Sequence, residues 1–110
     1  MTVDLVIPTV GRESLGRLLD ALAAGDGRRP GRVLLVDDRR DRSVPLLAGR
    51  GPGWLADRLV VVAGAAAGPA AARNLGWRLA DAEWVAFLDD DVVPGRTWLD
   101  DLTSDLEGLP

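Results

Sequence analysis

Asp89, Asp90 and Asp91 stand in succession at the end of the apolar run Trp84-Val85-Ala86-Phe87-Leu88. Side chains alternate along an extended chain, so Asp89 and Asp91 are expected on one side and Asp90 on the other. Two carboxylates held together repel unless a proton or cation lies between them, and oxygen ligands suit magnesium, manganese or calcium. The spacing therefore points to a metal at Asp89 and Asp91. Acids close a second apolar run in the same way, where Arg32 to Val36 leads into Asp37-Asp38. Thr9 follows a third run, Val3 to Ile7, and Arg73 falls in the first turn of a helix opened by Pro69. Two groups of acids with one arginine are an odd site for a carboxylate ligand but fit a nucleotide held through a metal.

The rest of the composition narrows the chemistry. The chain has 110 residues, one small domain, and 47% of them are hydrophobic, enough for an ordinary core. Its thirteen basic residues are all arginine, against seventeen acids, and the net charge of −4 argues against nucleic-acid binding driven by overall charge. Cysteine, histidine, lysine and tyrosine are missing. That removes thiolate and imidazole metal sites, disulfides, Ser-His or Cys-His nucleophiles and the P-loop. The amino terminus has no basic n-region, and no run approaches the length of a membrane span. A cytoplasmic chain, free or peripheral to a membrane, is expected.

The elements that must position these residues follow from periodicity. Val3 to Ile7 reads as a strand broken by Pro8-Thr9-Val10-Gly11. Leu15, Leu18, Leu19, Leu22 and Ala23 form a helical stripe stopped by Gly25-Asp26-Gly27. Arg32 to Val36 is the second strand. Ser43 to Asp57 holds too many prolines and glycines for a long helix, leaving a loop with a short helical turn near Val44 to Leu47. Leu59 to Ala63 is the third strand and Gly64 to Gly68 a turn. Pro69 suits a first helical position, and the alanine-rich helix continues to Ala82. Trp84 to Leu88 is the fourth strand, its continuous apolar content suggesting burial on both faces. Pro94 is expected to open a last helix whose Trp98, Leu99, Leu102 and Leu106 share a face. The order β-α-β-(short α)-β-α-β-α predicts an α/β fold with a parallel sheet. In such sheets ligands bind beyond the carboxyl ends of the strands, where all the residues singled out above fall.

Four motifs now carry a family resemblance. Val-Ile-Pro-Thr-Val-Gly-Arg at Val6 to Arg12, Val-Asp-Asp at Val36 to Asp38, Gly-Pro-Ala-Ala-Ala-Arg-Asn at Gly68 to Asn74 and Phe-Leu-Asp-Asp-Asp at Phe87 to Asp91 resemble, in order and spacing, the amino-terminal half of a GT-A glycosyltransferase of the inverting family 2. The resemblance implies a Rossmann-like GT-A half-domain over residues 1–110, sheet order 3-2-1-4, with helices on both faces. It implies transfer of a sugar from a nucleotide diphosphate donor to an acceptor hydroxyl, with Mn²⁺ or Mg²⁺. Thr9 would line the nucleoside pocket, Asp37 or Asp38 would bond base or ribose, and Arg73 would lie near base and diphosphate. Arg12 and Asp90 join the nucleotide-sugar set. Asp89 and Asp91 would be the acids of the Asp-X-Asp motif, Asp91 as the favoured direct ligand. Arg39-Arg40 stands where the family carries a small Gly-Ser. The catalytic base and the acceptor site are expected beyond residue 110.

Plainer readings accompany each motif. The three acids could be a solvated strand end, Asp37-Asp38 a turn signal, Arg73 half of a surface ion pair, and Thr9 a turn residue. Trp54, Trp77, Trp84 and Trp98 read as core or interface residues. A non-catalytic nucleotide-binding module would use the same residues. A phosphoacceptor receiver domain, suggested by Leu34 to Asp38, fails because its acids should follow the first strand and its lysine is missing. With order 3-2-1-4, Trp84 to Leu88 lies at an edge, where self-association is expected.

Overall fold

The structure, a computed structural model, describes residues 1–109; Pro110, the last residue of the expected domain, lies outside the described residues. Strand β1 (Val3–Thr9) leads to helix α1 (Ser14–Ala24), β2 (Val33–Asp37), a 3₁₀ turn (Gly53–Asp57), β3 (Leu59–Ala63), α2 (Pro69–Leu79), β4 (Trp84–Phe87) and α3 (Trp98–Glu107). The four strands pair in parallel in the order β3-β2-β1-β4, as the resemblance implies.

Alternation along the two inner strands divides the core. Leu5 and Ile7 of β1 and Val33 and Leu35 of β2 face the α1 stripe of Leu15, Leu18, Leu19 and Leu22, with Leu55 and part of Trp98 beside them. Val6, Leu34 and Val36 point to the opposite face and pack on Ala72 of α2. Helices therefore cover both faces. Burying each of these aliphatic side chains contributes about 1.5–3 kcal/mol, so β1 and β2 hold most of the hydrophobic stabilisation. The second face is closely packed because α2 presents Gly76 to the sheet. A Cβ at that position would collide with Val6 and come within 3.2 Å of Val36 Cγ2.

Pro8 decides where the sheet opens. Thr9 lies opposite Asp37 on the β2 side, but pairing with β4 stops at Val6 and Phe87, followed by one further bond from Leu88 N–H to the Val6 carbonyl. Proline has no N–H for the next rung, so β4 leaves the sheet there. Because β2 and β3 lie on one side of β1 and β4 on the other, this is also the point where strand order reverses.

Several expectations are corrected. The helix expected to run to Ala82 ends at Leu79 because the Asp4 carboxylate takes the N–H groups of Asp81 and Ala82, at 2.8 and 3.1 Å. Pro94 opens no helix, and α3 begins at Trp98. The intervening chain crosses to the end of α1, where Asp26 N–H donates to the Arg96 carbonyl at 2.7 Å and the Arg96 guanidinium pairs with the Asp26 carboxylate. No helical turn forms at Val44 to Leu47; Leu46 and Leu47 pack on the core from irregular chain, and the turn lies at Gly53–Asp57. Strand β4 is not buried on both faces. It is an edge, with Trp84 38% and Phe87 44% exposed. Trp77 is more open still, at 57%, on the outer side of α2. Trp54 is held to α1 by an Nε1–H bond to the Ala23 carbonyl at 3.1 Å and lies under the guanidinium groups of Arg29 and Arg58. Among the described residues no helix is long and apolar enough to cross a membrane.

Candidate functional site

Where β1 and β4 part, a cleft of about 300 Å³ opens between four chain segments. Pro8 to Val10 and Arg12 come from the end of β1, Asp38 from the end of β2, Pro69 and Arg73 from α2, and Asp89, Asp90 and Asp91 from the turn after β4. Thr9, Arg12, Asp38, Arg73 and all three successive acids are thus brought together as expected. Four carboxylates face two guanidinium groups. The surplus is negative, and a cation would balance it.

Asp89 and Asp91 face one way and Asp90 the other, as expected, although strand alternation is not the cause. The alternation argument assumed an extended chain through Asp91, but β4 ends at Phe87 and the acids occupy a turn closed by Val92 N–H on the Asp89 carbonyl at 3.2 Å. Asp90 points inward, 5% exposed, and accepts a hydrogen bond from the Thr9 hydroxyl at 2.8 Å. That hydroxyl also accepts from Gly11 N–H at 3.1 Å, and Arg12 lies 3.6 Å from the other Asp90 oxygen. Thr9 and Asp90 therefore tie the first loop to the acidic turn, with the hydroxyl proton already committed. Asp89 faces outward and meets Arg73 at 3.1 Å. Asp91 is exposed and, among the described residues, has neither a hydrogen bond nor an ion pair.

Asp38 forms the cleft floor. Its backbone N–H donates to the Thr9 carbonyl at 2.9 Å, and its Oδ2 accepts from Gly68 N–H at 3.0 Å. Gly68 has φ +100°, a conformation open to glycine, which aims its N–H at the acid while Pro69 starts α2. The remaining oxygen, Oδ1, is buried without a partner. A buried acceptor left unpaired costs about 1–3 kcal/mol, and this one lies against Gly64.

Asp37 stands apart. Both its oxygens are taken by Arg39, Nε at 2.8 Å and a terminal nitrogen at 2.9 Å. These bonds hold its carboxyl below the usual carboxylate range against the opposing effect of burial, and they raise Arg39 in turn. It lines a separate cavity of about 530 Å³ with Arg42, Leu46 and Leu59. Arg39 also lies against Gly11, 3.1 Å from where a Cβ would stand, and donates to the Val44 carbonyl at 2.8 Å. Where the family has small residues, this chain has a strut between three loops.

The donor set suits a hard cation, being carboxylate oxygen alone. No group of three or more acid, cysteine or histidine side chains converges as a metal cage among the described residues. A magnesium-like ion held by one or two carboxylates, with water and ligand phosphate completing its shell, needs no such cage. Sequence reasoning missed Pro8, Val10 and Pro69 in the lining and Asp4 at the far end of β1. An acid inside the apolar run Val3 to Ile7 was a signal for the last.

The chain's fold and sequence have known relatives. A pre-mycofactocin glycosyltransferase of Mycobacterium tuberculosis is 39% identical over 101 residues, covering 91% of this chain and 20% of that protein. Crystal structures of S. aureus TarS share the fold: residues 1–349 superpose with a TM-score of 0.76 at 24% identity, covering 97% of this chain and 32% of that one. The same TarS fragment in complex with UDP gives 0.77, at the same identity and coverage. The chain thus spans about a fifth of the curated relative and a third of the solved one. The sequence model of Glycosyl transferase family 2 matches residues 4–109, nearly the whole length, and the chain belongs to that family.

Proposed function

We propose that this chain is the donor-binding part of an inverting, metal-dependent glycosyltransferase that takes a nucleotide diphosphate sugar. The observation that supports this best is the unpartnered Asp38 Oδ1 on the floor of a cleft whose rim carries Arg12, Arg73, Asp89 and Asp91. In this reading Asp38 accepts a hydrogen bond from the nucleoside, and Arg12 and Arg73 face the diphosphate with charge-assisted bonds. Asp89 and Asp91 hold Mn²⁺ or Mg²⁺. Thr9 and Asp90 fix the turn that presents them, and Asp37 acts at one remove by holding Arg39. Breaking the sugar–phosphate bond leaves negative charge on the diphosphate, which a bound divalent cation stabilises as a Lewis acid. Inversion also needs a base on the acceptor hydroxyl, which we assign to residues other than 1–110.

UDP is the first probe, because S. aureus TarS has been solved with UDP and with UDP-GlcNAc. Calorimetric titration of UDP, GDP and dTDP, with and without Mn²⁺, should find one that binds more tightly with the metal. Binding of none of them sinks the proposal. Binding without any sugar transfer would favour a non-catalytic module instead. For the β4 edge we propose a second copy of this chain as partner, since its unpaired backbone lies beside exposed Trp84 and Phe87. A strictly monomeric species in concentrated light scattering would exclude that.

A further inference from the structure

The two ion pairs across the cleft are unequal. Arg12 pairs with Asp90, whose side chain is only 7% exposed and is already held by Thr9. Arg73 pairs with Asp89 through a single 3.1 Å contact, and both side chains are open, at 42% and 64%. Exposed pairs of this kind are weak, biasing an equilibrium by about fivefold at most. Asp90 cannot leave its partners without unmaking a buried bond, whereas Asp89 can exchange its partner at little cost. Asp38, which lines the same cleft, also has one carboxylate oxygen, Oδ1, without a partner within the fold.

Resting on the cation assignment above, we propose that Arg73 and Asp89 form an exchanging pair that couples cation binding to nucleotide binding. In the open cleft the guanidinium masks Asp89 Oδ1 and places a positive charge where a cation would sit. An entering diphosphate offers Arg73 a more highly charged partner, with two oxygens for its planar fork. Arg73 turns to phosphate and Asp89 is released to the metal. The cleft then neither leaves the two outward acids uncompensated nor holds cation and guanidinium on one carboxylate. Cation and nucleotide bind synergistically, and each is weak alone.

The test is Mn²⁺ binding, read from the free-ion paramagnetic resonance signal. It uses the wild type, Arg73→Ala, Asp89→Asn and the double variant, with and without the diphosphate that calorimetry selects. All three variants replace exposed side chains, and thermal melts confirm folding. Without nucleotide, Arg73→Ala should bind Mn²⁺ more tightly than the wild type, by up to about fivefold. With saturating nucleotide the order should reverse, because the phosphate has lost its guanidinium. In the Asp89→Asn background the gain should vanish. No gain without nucleotide overturns the exchange, as does a gain of full size in the Asp89→Asn background, which would mean a through-space effect of charge on Asp91. Mn²⁺–nucleotide binding that is insensitive to Arg73 overturns only the exchange. Absence of Mn²⁺ binding in every variant with nucleotide present overturns the cation assignment as well.

Discussion

Buried acids stand at both ends of the sheet, and two of them, Asp4 and Asp38, are treated differently. At the amino end Asp4, 2% exposed, accepts three backbone N–H bonds, from Arg32, Asp81 and Ala82, and faces the Arg32 guanidinium at 3.7 Å. Its acceptor capacity is filled from within the fold. At the carboxyl end Asp38 keeps one oxygen unpartnered, and Asp91 keeps both. One end of the sheet spends its carboxylate on folding, joining β1 to the chain before β2 and after α2. The other end leaves carboxylates for something outside the fold. In open parallel sheets that is the expected division, because ligands gather at the carboxyl edge.

The contrast is sharpest in stability. Asp4→Ala should be the most damaging change, since it strands three donors at once; about 3–5 kcal/mol is expected from urea unfolding. Acid should act through the same group. Burial pushes the Asp4 carboxyl up, but the N–H bonds from Asp81, Arg32 and Ala82 and the Arg32 charge together bring it below its ordinary value. Asp37 is also lowered, by Arg39. A depressed carboxylate contributes stability that is complete above its unfolded pKa and lost as pH falls through the folded one. The urea midpoint should therefore hold from neutrality down to about pH 4 and drop below it. Asp4→Asn should flatten that drop, and an unchanged acid limb would contradict the role given to Asp4.

Asp38→Asn is the next step down. Stability should move by about 1 kcal/mol or less in either direction, while nucleotide affinity falls by about tenfold, the loss of one hydrogen bond to a charged acceptor. Should this variant unfold as readily as Asp4→Ala, the two ends of the sheet would not differ in the way described. The smallest structural effect belongs to Asp91→Asn. Its melting temperature should match the wild type, and only the Mn²⁺-dependent part of nucleotide binding should disappear in calorimetry.

Much of this arrangement was legible in the residues. Continuous apolar runs mark the strands, Leu59 to Ala63 to the residue, and the sequence alone gathers the acids and Arg73 at one sheet edge. The sheet order came from the family resemblance rather than from periodicity. What escaped depended on tertiary events. Alternation separated Asp90 from Asp89 and Asp91 but did not show that Asp90 is the buried one, tied to Thr9 where β4 leaves the sheet at the rung Pro8 cannot make. The Asp37 lock needed Arg39, two residues on, and the run Asp-Asp-Arg could have suggested it. The late start of α3 reflects a crossing chain tied to the end of α1, and Pro94 followed by Gly95 was a warning against a helix there.

Gly76 touches no part of the cleft, yet it sets the cleft's gauge. With no side chain between them, α2 seats directly on Val6 and Val36, and that seating fixes the height at which Gly68 meets Asp38 and Arg73 meets Asp89, about two turns and one turn upstream respectively. A single added methyl would act as a shim under the helix, lifting both contacts together. The spacing between the two sides of the binding mouth is thus written in a hydrogen atom at the far end of the element that carries it.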